Sequence, residues 1–235
     1  AENIKKRLER SNIFFLEAIA YRTHPQTKLI LKLLRENIIG NVIKIKSEFG
    51  FDAGVPKKNS RLFNKKLGGG SILDLGCYPI TFSNLIANYR QNKKEIIPKL
   101  REVSGEIHEF GIDLNAKAKL IYENSITSDI SVSINQRFKN ETEIFGSKGT
   151  IKILDPWLPK KKNIIEVKKD NKIEKITSNA ELEVFANQIN YFNLFVQNKN
   201  LKENYPAMSI DNSVNYMKVM TEWRDQVLKN ESKSE

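Results

Sequence analysis

With 235 residues, 40% of them hydrophobic and 29% charged, the chain has the length and balance of a folded globular protein, which excludes wholesale disorder. A formal charge of +11 raises nucleic acid as a partner, but the cations are mostly scattered lysine pairs (Lys57-Lys58, Lys65-Lys66, Lys93-Lys94 and the run Lys160 to Lys162) without an arginine–aromatic grouping, so no nucleic-acid partner is expected. One cysteine, Cys77, rules out an internal disulfide and favours a cytoplasmic setting; no apolar run reaches the roughly 18 residues of a membrane span, and the opening "AENIKKRLER" is too charged for a secretory signal.

Along the chain, Glu2 to about Arg10 reads as a helix with Ile4 and Leu8 on one face, followed by a turn at Ser11-Asn12. The apolar run "IFFLEAIA" then suits a strand buried on both faces. One such unit cannot build a doubly wound sheet, a first hint that the chain starts near the end of a domain it does not contain. "HPQTKLILKLLRENIIG" predicts a helix entered at Pro25 and Thr27, with Leu29, Ile30, Leu33 and Leu34 as its stripe and Gly40 as its stop. "NVIKIKSEFGF" alternates, placing Ile43, Ile45, Phe49 and Phe51 on one face of a strand and Lys44, Lys46 and Glu48 on the other. A helix through Ile80, Leu85, Ile86 and Tyr89 follows.

Alternation dominates from Arg101 to Thr177, in "KAKLIY", "DISVSIN", "TIKIL", "IIEVKK" and "KIEKIT", with a turn at "GSKG". Two helices close the chain. The first carries Leu182, Phe185, Ile189 and Phe192; the second starts near Ser209 and carries Ile210, Val214, Met217 and Val227. Residues 230–235 are a polar tail. The expected class is α+β: an open, largely antiparallel sheet with helices on one face, preceded by a single αβ unit. The other face is then wet or covered by a second copy, which makes it a candidate dimer surface.

The stretch "LGGGSILDLGCYP" carries the chemistry. Asp74 and Tyr78 are four residues apart, and on a helix that spacing puts both on one face. Pro79 requires the helix to start close to Asp74, and three glycines before it let something approach the backbone closely. An acid and a phenol one turn apart suit acid–base work on a hydroxyl. The plainer reading is that "SILD" is a capping box and Tyr78 a core tyrosine with one hydrogen bond; on spacing alone it is the stronger. Arg22 can hold a substrate oxygen or a cofactor phosphate, or pair with Glu17 or Glu36. Arg61 is a ligand clamp or a surface cation. His24 reads as a cap and Cys77 as a small hydrophobe; two histidines and one cysteine make no metal site.

Taken in order, "FFLEAIAYRTHPQ", "IIGNVIKIKSEFGF", "SRLFNKKLGGGSILDLGCYPI", "EIFGSKGTIKILDPW" and "PAMSIDNSVNYM" resemble the Gfo/Idh/MocA oxidoreductases, in particular their dihydrodiol and NADP-dependent xylose dehydrogenase branch. The resemblance implies an N-terminal Rossmann domain for NAD(P), with NADP favoured, joined to a C-terminal domain whose open sheet makes homodimers. It implies Tyr78 as the acid–base residue, Asp74 as its supporting aspartate, and Arg22 and, less directly, Arg61 at the substrate. The substrate would be a sugar or diol oxidised at a CH–OH carbon. The family's glycine fingerprint and catalytic lysine fall before residue 1. Residues 1–17 then correspond to the last helix and strand of the Rossmann domain and 18–229 to the substrate domain, and the chain alone is expected to be inactive. The alternative from another class is a non-catalytic dimerisation or ligand-binding module.

Overall fold

The computed structural model describes residues 1–11, 13–90, 95–198 and 206–231. Asn12 of the expected turn, the Lys93-Lys94 pair and the tail from Ser232 onward lie outside them. The frame is one eight-stranded sheet. Its strands are β1 (Val42–Gly50), β2 (Lys99–His108), β3 (Ile112–Ile121), β4 (Thr127–Ser133), β5 (Thr142–Gly146), β6 (Thr150–Ile153), β7 (Lys162–Lys169) and β8 (Lys172–Asn179). They lie in the order β2-β3-β4-β1-β5-β6-β7-β8, and only β1–β4 pairs in parallel.

Period-two alternation explains why the sheet has two unlike faces. Ile45, Ala116, Ala118, Leu120, Ile130, Val132, Ile144, Ile151, Ile153, Ile165 and Val167 are buried in one core. The other face is laced with charge. Lys46 stands between Asp129 and Glu143 in register, Lys44 Nζ bonds Asp129 Oδ2 at 2.5 Å, and Lys152 Nζ meets Glu141 Oε2 at 2.7 Å. Ile43 departs from its expected face. A register shift between Val42 and Lys44 buries Val42 in its place and leaves Ile43 exposed.

The helices are α1 (Glu2–Leu8), α2 (Pro25–Arg35), α3 (Ser71–Leu75), α4 (Cys77–Ala87), α5 (Val184–Gln197) and α6 (Ile210–Glu231). Pro25 opens α2 at the position where its missing N–H costs nothing, and His24 caps it by accepting the Gln26 N–H at Nδ1 over 3.1 Å. The helix stops at Arg35 rather than Gly40, because Asn37 already takes a left-handed φ of 59°. Gly40, φ 72°, serves instead to admit the loop at Ser147 and Lys148. Ser209 and Asn212 cap α6 reciprocally, Oγ to N–H at 3.0 Å and N–H to Oδ1 at 3.1 Å, and Val214, Val219, Met220, Trp223 and Val227 bury its inner face.

The helices α1 and α5 form as expected, though neither buries its apolar stripe, and the expected strand after α1 does not form. α1 buries no residue; Ile4 is exposed and the helix is held to α6 by Lys5–Asp211 and Lys218–Glu2 ion pairs. Residues 13–19 form no strand, because no neighbouring strand among the described residues pairs with their backbone. The stripe Leu182, Phe185, Ile189 and Phe192 faces solvent, and Val184 and Phe195 are the residues α5 buries. No helix among the described residues is long and apolar enough to cross a membrane.

Candidate active site

The expected single helix through Asp74 and Tyr78 is two helices. α3 starts at Ser71, earlier than Pro79 alone suggests, and the break falls at Gly76. Pro79 lacks the N–H that would bond the Leu75 carbonyl, so the ladder is interrupted one turn before it. Gly76 keeps a right-handed helical conformation (φ −60°, ψ −25°), so the chain carries Asp74 and Tyr78 round with helical spacing all the same.

The capping box is not made. The cap of α3 comes from across the sheet: buried Asp113 on β3 accepts the Ser71 hydroxyl and the Ile72 N–H through Oδ2, both at 2.6 Å. Burial pushes its carboxyl above the usual range, and these two bonds oppose the shift. The glycines serve this contact. A Cβ on Gly70 (φ 107°) would lie 2.4 Å from Asp113 Oδ1, and one on Gly69 would lie 2.5 Å from the Leu62 carbonyl. What approaches the glycine backbone is the chain itself.

Freed from capping, the Asp74 carboxylate bonds the Arg61 guanidinium, which is itself mostly exposed. Tyr78 is half-buried in an aromatic box. Phe49 stands edge-on at 5.0 Å, Trp157 at 6.1 Å and Tyr21 at 6.4 Å, and Trp157 is fixed by its Nε1–H donating to the Glu48 carbonyl at 2.9 Å. Among the described residues no hydrogen bond to the Tyr78 hydroxyl is made, so the expected core tyrosine with one partner is not what forms. Burial, then the neighbouring Cys77 and Asp74, push the phenol up to about 12. Cys77 is also pushed up to about 12, by burial and then by Glu17 and Asp74, and behaves as a packed thiol.

Arg22 is only 4% exposed and pairs with neither Glu17 nor Glu36. Its Nε donates to the Pro206 carbonyl at 2.5 Å and its NH1 to the Thr81 carbonyl at 3.0 Å, so in this chain it clamps α4. Tyr21 helps: its hydroxyl meets Thr81 Oγ1 at 2.8 Å, and Thr81 bonds back to the Cys77 carbonyl at 2.5 Å. Glu17 instead accepts the Tyr216 hydroxyl. The structure thus joins Asp74 to Arg61 and sets Tyr78 one turn on, while Arg22 reaches the same helix from behind. Sequence reading missed Asp113, Tyr21, Thr81 and Trp157, and offered Glu17 to Arg22 where it accepts from Tyr216. Only Asp113, a carboxylate between Ile112 and Leu114 in a strand pattern, carried a visible signal.

The family profile of the GFO/IDH/MocA C-terminal domain matches residues 27–152, more than half of the chain, across the glycines, Asp74, Tyr78 and the strands beside them. The chain belongs to the Gfo/Idh/MocA family. Among the relatives of this Gfo/Idh/MocA chain are trans-1,2-dihydrobenzene-1,2-diol dehydrogenases: that of Xenopus tropicalis is 34% identical over 149 residues, 63% of this chain and 42% of the relative. That of Homo sapiens is 27% identical over the same span. The chain therefore spans less than half the length of these relatives. Two solved structures share the fold. A 3-ketoreductase from Actinomadura kijaniata in complex with NADP and TDP-benzene has a TM-score of 0.74 at 19% identity, over 84% of this chain and 59% of the other. An aldose-aldose oxidoreductase from Caulobacter crescentus complexed with glycerol has 0.76 at 14%, over 96% and 66%.

Proposed function

We propose that the chain is the substrate-binding part of an NAD(P)-dependent oxidoreductase, NADP favoured, that moves hydride between a nicotinamide and the CH–OH carbon of a sugar-like or diol substrate. The observation that carries this reading is Tyr78: a half-buried phenol with no hydrogen-bond partner among the described residues, held in an aromatic box one turn from the Asp74–Arg61 pair. The family and the names of the relatives support the reaction class. Residues 1–17 are assigned to the end of a nucleotide-binding domain and 18–229 to the substrate domain. The protein is assigned to the cytoplasm, and a homodimer through the open sheet face completes the reading.

The dinucleotide does not fit the triple glycine of this chain, whose Gly69 and Gly70 are filled by the Leu62 carbonyl and Asp113. Its site is assigned outside the residues described here. What this chain supplies is the proton. With its phenol raised to about 12, Tyr78 carries a proton at neutral pH and can donate it to a carbonyl oxygen being reduced. In the reverse direction Tyr78 must take up the proton, and burial beside Asp74 disfavours the phenolate that this requires. Asp74, held by Arg61, fixes the charge next to the phenol. Arg22 keeps α4 in place, and Arg61 is assigned to the substrate's oxygens.

The test is NADP-linked turnover of a panel of sugars and diols by the complete gene product. Tyr78→Phe should lower kcat by about 10²–10⁴-fold with a small change in KM. An unchanged rate removes Tyr78 from the mechanism. Residues 1–235 by themselves should show no turnover, and a measured rate from them would refute the division of labour.

A further inference from the structure

Trp157 is the ring that joins the aromatic box together. It meets Tyr78 at 6.1 Å, Phe49 at 5.8 Å, and Tyr21 and Phe82 each at 5.9 Å between centroids. Yet it stands in a connection between β6 and β7, in the stretch Leu154-Asp155-Pro156-Trp157-Leu158-Pro159. Pro156 and Pro159 have no N–H with which to anchor that loop, and Asp155 and Leu158 are exposed. The Nε1–H of Trp157 on the Glu48 carbonyl holds the ring itself. The backbone two residues earlier is held by Gln26, whose Nε2 donates to the Asp155 carbonyl at 2.9 Å.

Gln26 lies in the first turn of α2 and is only 1% exposed. Its Oε1 is buried with no partner among the described residues. A buried amide oxygen without a donor destabilises a fold, so what this side chain contributes comes from its other end. The same helical turn fixes a second wall of the box. Thr27 Oγ1 donates to the Tyr21 carbonyl at 2.6 Å, and the Tyr21 ring meets both Tyr78 and Trp157. Two of the rings against Tyr78 are thereby referred to one rigid element, the capped start of α2.

On the functional reading above, we propose that Gln26 is a positioning residue: through the Asp155 carbonyl it keeps Trp157 against Tyr78, and so holds the phenol in line for proton transfer. It acts at a distance from the substrate, through the loop and the ring. Without it the loop keeps only the indole bond to Glu48, and Trp157 gains freedom to swing from Tyr78. Proton transfer falls steeply when the donor is misplaced by even a fraction of a bond length.

Gln26→Met keeps the length and packing of the side chain and removes both ends of the amide. Water reaches the exposed Asp155, and the orphaned Oε1 is gone, so the urea midpoint should stay within about 0.3 M of the parent or rise. On residues 1–235, acrylamide quenching of Trp157 should increase about twofold or more, with Trp157→Phe giving the share of Trp223. In the complete gene product, kcat for NADP-linked turnover should fall about tenfold with KM within about twofold. In a Trp157→Ala background the same substitution should lower kcat no further, because Gln26 acts through that ring. Unchanged quenching overturns the proposal, as does a kcat equal to the parent's or an equal loss of kcat in both backgrounds. A midpoint that falls instead marks an ordinary structural residue and overturns it too. A parent without turnover sinks the functional reading, and the quenching still decides whether Gln26 holds Trp157.

Discussion

Tyr78 keeps its proton for reasons visible around its ring. Burial among Phe49, Trp157 and Tyr21 disfavours phenolate, and Cys77 and Asp74 add to the effect. Removing the Asp74 charge should therefore lower the phenol from about 12 toward the ordinary tyrosine value. Ultraviolet titration of Asp74→Asn, with Tyr78→Phe to identify the signal, checks this; an unchanged value would mean that the Asp74 charge does not act on the ring. His24 shows the opposite sign. Burial lowers its pKa, so the folded state binds fewer protons than the unfolded one below about pH 6.5, and stability is lost as the pH falls through the folded value. Its Nδ1 accepts the Gln26 N–H, so His24→Asn, which preserves an acceptor at the cap, should flatten the acid limb of a denaturant midpoint series. An unchanged limb would place the pH dependence elsewhere. The identities of Asp74 and Tyr78 were legible in the sequence. Their surroundings were not, because Trp157 and Tyr21 reach the ring from distant parts of the chain.

At the scale of elements, the two short helices α3 and α4 depend on a strand. Asp113 caps α3 from β3, and Gly70 exists to let it in. Asp113→Ala leaves the Ser71 hydroxyl and Ile72 N–H without their acceptor in a buried place, and should cost about 2–4 kcal/mol in urea unfolding. Gly70→Ala sets a Cβ against the same carboxylate at a left-handed φ and should cost at least about 2 kcal/mol. Either variant within about 0.5 kcal/mol of the parent would show that the cap is dispensable. The pattern "SILD" advertised a local capping box, and a long-range competitor won. Nothing in local spacing can reveal a partner that β3 brings in from the other side of the sequence.

At the scale of the molecule, the open sheet face is charged rather than apolar, so a second copy must meet it by charge complementarity and not by burial of a greasy patch. If the proposed homodimer uses this face, reversing Lys46, which stands between Asp129 and Glu143, should weaken association about tenfold or more and shift sedimentation toward the 27.1 kDa monomer. Rising salt should act in the same direction. A parent protein that sediments as a clean monomer would remove the dimer.

Sequence alone determined the class of this protein, because alternation and helical spacing are local properties: the half-wet strands, the helix entry at Pro25 and the helix start near Ser209 stand where their side-chain periods put them. Tertiary structure decided which stripes were core. It turned the apolar stripe of α5 outward, left residues 13–19 unpaired, and filled the glycine shelf with Asp113. Whether an apolar face is buried depends on what stands opposite it in space, and a periodic sequence says only that such a face exists.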